Sequence, residues 1–193
     1  LKPLLEKDLE KYNQIDLYNR VEIRLLKTLA LMENEGINLD IKFLDKLSEK
    51  TKTEVNSLAE KICKEAGTEF NISSPKQLGE ILFDQMKISK NPKKTKTGQY
   101  STSEEVLSVL AKENSFVKLI LEYRSVSKLL NTYIDSLPKQ ISKRTNRIHT
   151  EYIQTVASTG RLSSINPNLQ NIPIRTTRGK KIRKAFIPKN NDY

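Results

Sequence analysis

Apolar residues recur every three or four positions over the first two-thirds of the chain, a spacing that places them on one face of an α-helix. The first helix is predicted to end at Gly36, a residue typical of helix C-termini. A second helix of about 26 residues follows Asp40 and ends at Gly67. A short helix is predicted after the cap residue Ser74, and another long one spans about 116–136.

A lysine-rich segment, residues 87–100, interrupts this helical pattern. It contains five lysines and no acidic residue, with turn signals near Pro92 and Gly98. The pattern predicts a loop too polar to pack, after which helix resumes beyond the cap residues Ser101 and Ser103. Two long helices with a small basic insert between them predict an antiparallel helix pair with a positive tip.

The last quarter of the chain changes character. Residues 148–156 are β-branched and aromatic and predict a strand, and residues 182–187 predict another. The segment between them is rich in Ser, Asn, Pro, Gly and Arg. The predicted fold class is therefore mainly α, of the α+β type. A long antiparallel helix pair with a small helical basic tip precedes a short antiparallel β segment.

Positive charge is concentrated in two places. The chain has 34 Lys and Arg against 23 Asp and Glu, which gives a net charge of +11. Residues 143–184 contribute +9 and residues 87–100 contribute +5, so the remainder of the chain is near −3. Two basic segments on a nearly neutral body favour a polyanionic partner, most often nucleic acid. A solvated basic face without a partner is the alternative.

Several classes of site are excluded by what the sequence lacks. One cysteine, Cys63, allows no internal disulfide or cysteine cluster, and a single histidine, His149, allows no multi-histidine metal site. Phosphate-loop and nucleophile-elbow motifs are absent, and no group of acidic residues in the strand-like region suits two metal ions. No apolar run is long enough for a membrane span. Without a signal-peptide pattern at the start, a soluble intracellular protein is expected.

Residues 158–175 carry the most informative chemistry. They offer an arginine in a tight Thr-Gly turn, two adjacent serines and the side-chain amides of Asn168, Gln170 and Asn171, with two prolines flanking this stretch. Such groups suit hydrogen bonding to base edges and sugars in the minor groove, where the acceptors are shared by all sequences. An Asn- and Pro-rich surface loop would have the same composition, so composition alone leaves both readings open.

This segment resembles the signature of the family A DNA polymerases, the bacterial DNA polymerase I family. The matching residues are TGRLSS at 159–164, PNLQNIP at 167–173 and Arg175. Residues 182–186 are similar to a strand of that family. Weaker matches extend the resemblance over nearly the whole chain: His149-Thr150, Gln154-Thr155, Val21-Glu22, Met32-Glu33, Ser101-Thr102-Ser103, Tyr123-Arg124 and Lys128.

The resemblance implies a piece of a larger enzyme. Residues 1–36 would be a leading helix, 37–137 the thumb and 138–193 the start of the palm, truncated before the first catalytic motif. The parent enzyme would be a DNA-directed DNA polymerase acting in replication and repair. Its partners would be primer–template DNA and deoxynucleotides, and its cofactor Mg²⁺ held by carboxylates outside this chain. Asp192 lies too soon after Phe186 to be the family's catalytic aspartate and is interpreted as a surface turn residue.

The piece itself is expected to be inactive alone, with no catalytic residue and no metal ligand. A monomer in the bacterial cytoplasm, with no membrane partner, is expected. The alternative is a stand-alone, non-catalytic nucleic-acid clamp, which a natural stop near Tyr193 would support.

The resemblance also implies roles for individual residues. The lysines at the thumb tip would bind phosphates and be interchangeable, and Arg124 and Lys128, four apart on one helix face, would hold the primer backbone. Arg161 would sense correct pairing from the minor groove. Ser101 and Ser103 either donate to phosphates or cap a helix. The predicted DNA-binding residues are Lys93, Lys94, Lys96, Ser101, Ser103, Arg124, Lys128, Asn131, Arg161, Asn168, Gln170, Asn171 and Arg175.

Overall fold

The structure, a computed structural model, describes residues 1–189. The chain forms two compact units. We call Lys42–Asp135 the helical unit, and Leu1–Ile41 together with the chain from Ser136 onward the mixed unit. The sequence predicts thumb boundaries at residues 37 and 137. The names thumb and palm stay predictions.

Helices dominate the chain and the strands are short, as predicted for a mainly α fold. The helices are α1 (Lys2–Lys11), α2 (Ile15–Leu17), α3 (Ile23–Glu35), α4 (Ile41–Ala66), α5 (Pro75–Gly79), α6 (Glu104–Leu110), α7 (Ser115–Leu129) and α8 (Thr177–Arg183). π-helical turns at Tyr18–Glu22, Glu80–Gln85 and Leu130–Ile134 precede α3 and extend α5 and α7, and Leu137–Gln140 is a 3₁₀ turn. The strands are β1 (Asn38–Leu39), β2 (Glu151–Ile153), β3 (Ser163–Ile165) and β4 (Phe186–Ile187). No helix in this described part of the chain is long and apolar enough to cross a membrane.

The predicted antiparallel pair of long helices is confirmed as α4 and α7. Near the start of α4, the Ser48 hydroxyl donates to the Asp135 carboxylate at 2.6 Å, just beyond the π-helical end of α7. Near the opposite end of α4, Ile62 is buried in the same cluster as Phe116 at the start of α7. The 26 residues of α4 match the predicted length, and Gly67 follows with φ +72°.

The core of the helical unit lies between α4, α5, α6 and α7. Leu78, Leu82 and Leu107 are fully buried in it. Ile88 and Tyr100, at the two ends of the lysine-rich segment, also pack against this core. The expectation that residues 87–100 are too polar to pack was therefore wrong at both ends. The polar composition of the segment as a whole gave no indication that Ile88 and Tyr100 anchor its two ends.

In the mixed unit, two antiparallel strand pairs hold the chain together. Leu39 of β1 pairs with Phe186 of β4, and Tyr152 of β2 pairs with Ser164 of β3. The strand predicted over 148–156 is shorter than expected, since only Glu151–Ile153 is strand. These pairings bring the start of α4 and the end of α8 to one small sheet, and they create a hairpin between residues 151 and 165.

The strand predicted over residues 182–187 was largely wrong. Helix α8 continues through Arg183, and only Phe186 and Ile187 are extended. The Thr176 side chain accepts from the Gly179 N–H at 3.0 Å and starts the helix. Ile182, near the end of α8, is buried. It therefore belongs to the apolar face of a helix and not to a strand.

Candidate nucleic-acid interface

A polar groove of about 560 Å³ opens on the helical unit. Its lining includes Ser101, Ser103, Arg124, Lys128 and Asn131. The sequence assigned all five to DNA, and they come from two segments that are about 20 residues apart in the chain. The fold thus gathers hydroxyl, amide and cationic groups on one surface, a combination suited to phosphate oxygens.

The cationic side of the groove is built on one helix face. Arg124 and Lys128 lie four residues apart on α7, and Asn131 continues the row on its π-helical extension. Lys128 and Asn131 are exposed. A fully hydrated ammonium group next to a side-chain amide offers several donors to an anion without a burial cost.

Arg124 differs from these neighbours because it is only partly exposed. Its Nη1 donates to the carbonyl oxygen of Thr102 at 2.5 Å, and its Nη2 donates to the Thr102 hydroxyl at 3.3 Å. Burial lowers the pKa of Arg124, although a guanidinium keeps its charge at any physiological pH. Arg124 therefore braces the segment before α6, and Thr102 is a buried groove residue that the sequence argument missed.

The two serines lie on the opposite wall. Ser103 accepts from the Val106 N–H at 3.4 Å, which caps α6. The Ser101 hydroxyl lies 3.5 Å from that of Ser103 and donates to it. A hydroxyl that accepts a capping bond keeps its own proton to donate. Capping and phosphate binding, which the sequence posed as alternatives, are compatible at Ser103.

Residues 93–101 form a small hairpin, which we call the lysine hairpin. The Ser101 N–H donates to the Lys93 carbonyl at 2.8 Å, and the Thr95 N–H donates to the Gln99 carbonyl at 2.7 Å. Gly98 turns the chain with φ +81°, a conformation that favours glycine. The turn signal at Gly98 is thus confirmed.

The three hairpin lysines occupy different environments. Lys93 lies 4.0 Å from the Glu105 carboxylate, and Lys94 sits 5.4 Å from the centre of the Tyr100 ring. Lys96 is exposed next to the turn. Their side chains are outside the groove lining described above. The three lysines thus have different local settings, and their interchangeability in phosphate binding stays a prediction.

The arginine of the signature segment lies in the mixed unit, on the connection between β2 and β3. Gly160 precedes it with φ +74°, and the Gly160 N–H donates to the Ala157 carbonyl at 3.1 Å. This tight turn leaves Arg161 exposed. A cation held at the end of a hairpin, clear of the protein core, is placed for contact with an external ligand.

Two glutamates from the preceding helix hold this hairpin. The Glu33 carboxylate accepts from the Tyr152 N–H at 2.6 Å, and the Gln154 side-chain amide donates to the Glu22 carboxylate and main-chain carbonyl. Sequence reasoning gave neither glutamate a role, although both stand in dipeptides that match the family. The matches of Val21-Glu22 and Met32-Glu33 to the family were the sequence signal that could have pointed to these two glutamates.

Buried hydroxyls shape the loop that follows β3. The fully buried Ser164 accepts from the Leu169 and Gln170 N–H groups at 3.0 and 3.3 Å. Thr150, also buried, donates between the carbonyls of Ile165 and Pro167 at 2.9 and 2.7 Å. These two side chains fix the backbone of the loop from inside.

The loop so held presents three of the predicted DNA-binding residues. Asn168, Gln170 and Asn171 are exposed on it, and the Asn168 side chain accepts from the Asn171 N–H at 3.1 Å. Arg175 is exposed four residues after Asn171, before α8. Exposed side-chain amides, which both donate and accept, are suited to base edges and sugars.

His149 is a structural residue in this setting. Its Nδ1 lies 2.7 Å from the Glu33 carbonyl oxygen, which only accepts, so Nδ1 donates. Its Nε2 lies 2.6 Å from the Thr145 hydroxyl. With both ring nitrogens bonded inside the protein, the imidazole holds the chain just before β2 against α3.

The residues described here do not fit a catalytic metal. Within 1–189, no three or more His, Cys, Asp or Glu side chains cluster so as to hold a metal ion. The magnesium that the resemblance implies would need acidic ligands from elsewhere. Asp192, interpreted as a surface turn residue, lies outside the described residues.

Comparison with known proteins identifies the family. The chain matches the family described as DNA polymerase family A over residues 41–193. It is 44% identical to DNA polymerase I of Bacillus subtilis over 193 residues, which is 100% of this chain and 22% of that protein. It is 46% identical to the thermostable DNA polymerase I of Thermus thermophilus over 171 residues, covering 89% of this chain and 21% of that protein. The chain belongs to DNA polymerase family A.

A solved structure agrees with this assignment. The POL domain of Pol1 from M. smegmatis, in complex with DNA primer-template and dNTP, is 39% identical with a TM-score of 0.84. The likeness covers 95% of this chain and 32% of that one. The chain spans about a fifth of the length of the two bacterial relatives.

Proposed function

We propose that this chain is the duplex-gripping part of a DNA-directed DNA polymerase. The helical unit acts as the thumb and holds the phosphate backbone of the primer–template. The mixed unit contains the leading helix and the start of the palm, and it reads the minor groove at the primer terminus. The observation that carries the proposal is the meeting of Ser101, Ser103, Arg124, Lys128 and Asn131 in one groove.

The chemistry of the groove supports contact with the DNA backbone. Lys128 and Arg124 supply charge, and the neutral donors supply directed hydrogen bonds, which is how proteins bind phosphates independently of sequence. Such contacts release counterions, so affinity is expected to fall steeply between low and moderate salt. A polymerase that moves along any template requires a grip of this kind.

The loop of the mixed unit supports minor-groove contact. Arg161, Asn168 and Gln170 offer donors toward acceptors that every Watson–Crick pair places at equivalent positions. A mispaired terminus displaces those acceptors. Side chains held on a tight turn and a rigid loop would therefore bind a matched terminus better than a mismatched one.

The proposal also includes the substrates, the metal ions, the oligomeric state and the cellular location of the polymerase. The substrates are primer–template DNA and deoxynucleotides, and two Mg²⁺ ions are held by carboxylates outside this chain. The polymerase acts as a monomer in the bacterial cytoplasm, in replication and repair. Support for the DNA and nucleotide partners comes from the family assignment and from the solved complex that the chain resembles.

Primer extension tests the proposal against a stand-alone clamp. The full-length polymerase is expected to extend a primer, whereas the purified 193-residue chain binds the duplex at low salt and adds no nucleotide. A full-length gene product that binds duplex DNA but never extends it would establish the clamp instead. Extension by the isolated chain would show that the active site has been misplaced.

A further inference from the structure

Tyr100 is fixed on several sides at the base of the lysine hairpin. Its hydroxyl donates to the Asp84 carboxylate at 2.5 Å, and its ring lies 5.0 Å from the ring of Phe83. The Lys94 ammonium stands 5.4 Å from the ring centre, within cation–π range. The hydrogen bond to Asp84, with some burial, raises the pKa of Tyr100 above its ordinary value.

The packing of Tyr100 also requires a glycine at position 79. A side chain at Gly79 would bring its Cβ to 2.9 Å from the Tyr100 Cβ, closer than real Cβ atoms approach. Gly79 ends α5, and Asp84 lies on the π-helical turn that extends it. The tyrosine is therefore clamped against one continuous helical segment, from the main chain to the hydroxyl.

The position of Tyr100 in the chain links two groups of predicted phosphate contacts. It forms an antiparallel bridge with Lys94, and the next residue, Ser101, bonds to the Lys93 carbonyl. Ser101 and Ser103 then line the groove with Arg124. The fixed Tyr100 side chain thus determines the position of the hairpin lysines relative to Ser101 and Ser103.

We propose that Tyr100, seated on Asp84 and Gly79, is a positioning residue that holds the lysine hairpin ready for the phosphates of the duplex. The inference rests on the proposed function. A hairpin ordered before binding loses less conformational entropy when DNA arrives, so its lysines contribute more to affinity. Tyr100 also lines the groove, but its hydroxyl donates its proton to Asp84 and so does not have it free for a phosphate.

The test measures duplex affinity of the full-length polymerase at several salt concentrations. Tyr100→Phe removes the hydroxyl and keeps the ring, and Asp84→Ala removes the acceptor. Each is expected to weaken binding roughly two- to tenfold at low salt, the range expected for one hydrogen bond. The salt slope should become shallower by up to about one unit, because a mobile lysine neutralises phosphate less often.

Two further variants separate positioning from general damage. Asp84→Asn keeps an oxygen acceptor for the tyrosine and should restore most of the affinity lost in Asp84→Ala. The double variant Tyr100→Phe/Asp84→Ala should bind no worse than either single variant, because both remove the same bond. Gly79→Ala displaces the tyrosine from the main-chain side and should reproduce the loss.

Tyr12→Phe is the matched control. Tyr12 also has a lysine over its ring, with Lys11 at 5.2 Å, but it is an exposed tyrosine of the mixed unit. Its variant should leave both affinity and salt slope unchanged. Circular dichroism of every variant checks that the helical unit is folded.

The outcomes distinguish this inference from the proposed function. Loss of affinity in Lys128→Ala with no change in Tyr100→Phe and Asp84→Ala would overturn the positioning role and leave the DNA grip standing. No effect from Lys128→Ala, Arg124→Ala or Lys96→Ala would overturn the grip, and the positioning role with it. Additive losses in the double variant would also contradict a shared bond.

Discussion

Arg124 donates a 2.5 Å hydrogen bond to the carbonyl oxygen of Thr102, 22 residues earlier in the chain. A second bond reaches the Thr102 hydroxyl. Since the serines on either side of Thr102 form the opposite wall of the groove, this one guanidinium both lines the groove and holds its walls together. A residue that the family resemblance marks as a phosphate contact is also a structural brace.

Arg124→Ala is therefore expected to loosen the groove as well as weaken DNA binding. The two lost hydrogen bonds to a charged donor should lower the local opening free energy of residues 101–106 by roughly 1–3 kcal/mol. Hydrogen exchange of the free full-length polymerase measures this, and Lys128→Ala, an exposed neighbour, serves as control. Unchanged protection in Arg124→Ala would contradict the bracing role.

Lys128→Ala is expected to weaken binding to every duplex alike, without loss of structure. The exposed ammonium neutralises one phosphate, so the slope of log affinity against log salt should fall by about one unit. Lys118→Ala is the charge-matched control, because Lys118 is exposed on the same helix but outside the groove. Equal effects at both lysines would mean that only total charge matters.

Two changes to the lysine-rich segment should have opposite consequences. Ile88→Ala removes a side chain packed on the core and is expected to cost roughly 1–3 kcal/mol of stability in chemical unfolding.

Replacing Lys96-Thr97-Gly98 by Asn-Gly, a two-residue hairpin turn, should leave stability unchanged and reduce processivity. The shortened hairpin loses Lys96 but keeps both apolar anchors. Unfolding of this second variant would show that the tip is structural.

The helices could be predicted because their evidence is local. The apolar stripe that ends at Gly67 and the cap at Ser74 depend on residues within a few turns of each other, and the structure reproduces both. Residues 182–187 were mistaken for a strand because apolar residues in so short a segment fit either a helical or a strand period. The cap at Thr176, outside that window, decided for helix.

For the candidate site, too, residues with a local sequence signal could be predicted and residues that depend on distant partners could not. Exposed donors such as Lys128 and Arg161 could be proposed because charge and motif are visible in the sequence, and their contact with DNA stays a prediction. Thr102 and Glu33 were missed because their roles depend on partners far along the chain, such as the Tyr152 N–H from which Glu33 accepts a hydrogen bond. Ser164, one of the two adjacent serines considered for base contacts, is instead fully buried and accepts from the Leu169 and Gln170 N–H groups. Nothing local distinguishes such a brace from an ordinary polar residue.

Arg161→Ala is expected to slow primer extension by the full-length polymerase more on matched than on mismatched termini. The arginine contributes a charge-assisted hydrogen bond that forms only when the terminal pair has the correct shape. Such a bond contributes about 1.5–3 kcal/mol, so matched extension should fall by roughly ten- to a hundredfold. Single-nucleotide extension rates on both primers give the comparison, with Arg144→Ala as an exposed control. Equal slowing on the two primers would refute pairing recognition.

Photo-cross-linking tests the central claim most directly, since it maps where this chain meets DNA. A primer–template with photoreactive groups on the duplex backbone and in the minor groove at the primer terminus is bound to the full-length polymerase, and the cross-linked peptides are identified. The account predicts backbone cross-links within residues 93–131 and minor-groove cross-links within residues 161–175. Cross-links confined to other parts of the polymerase, with both segments unmodified, would contradict it.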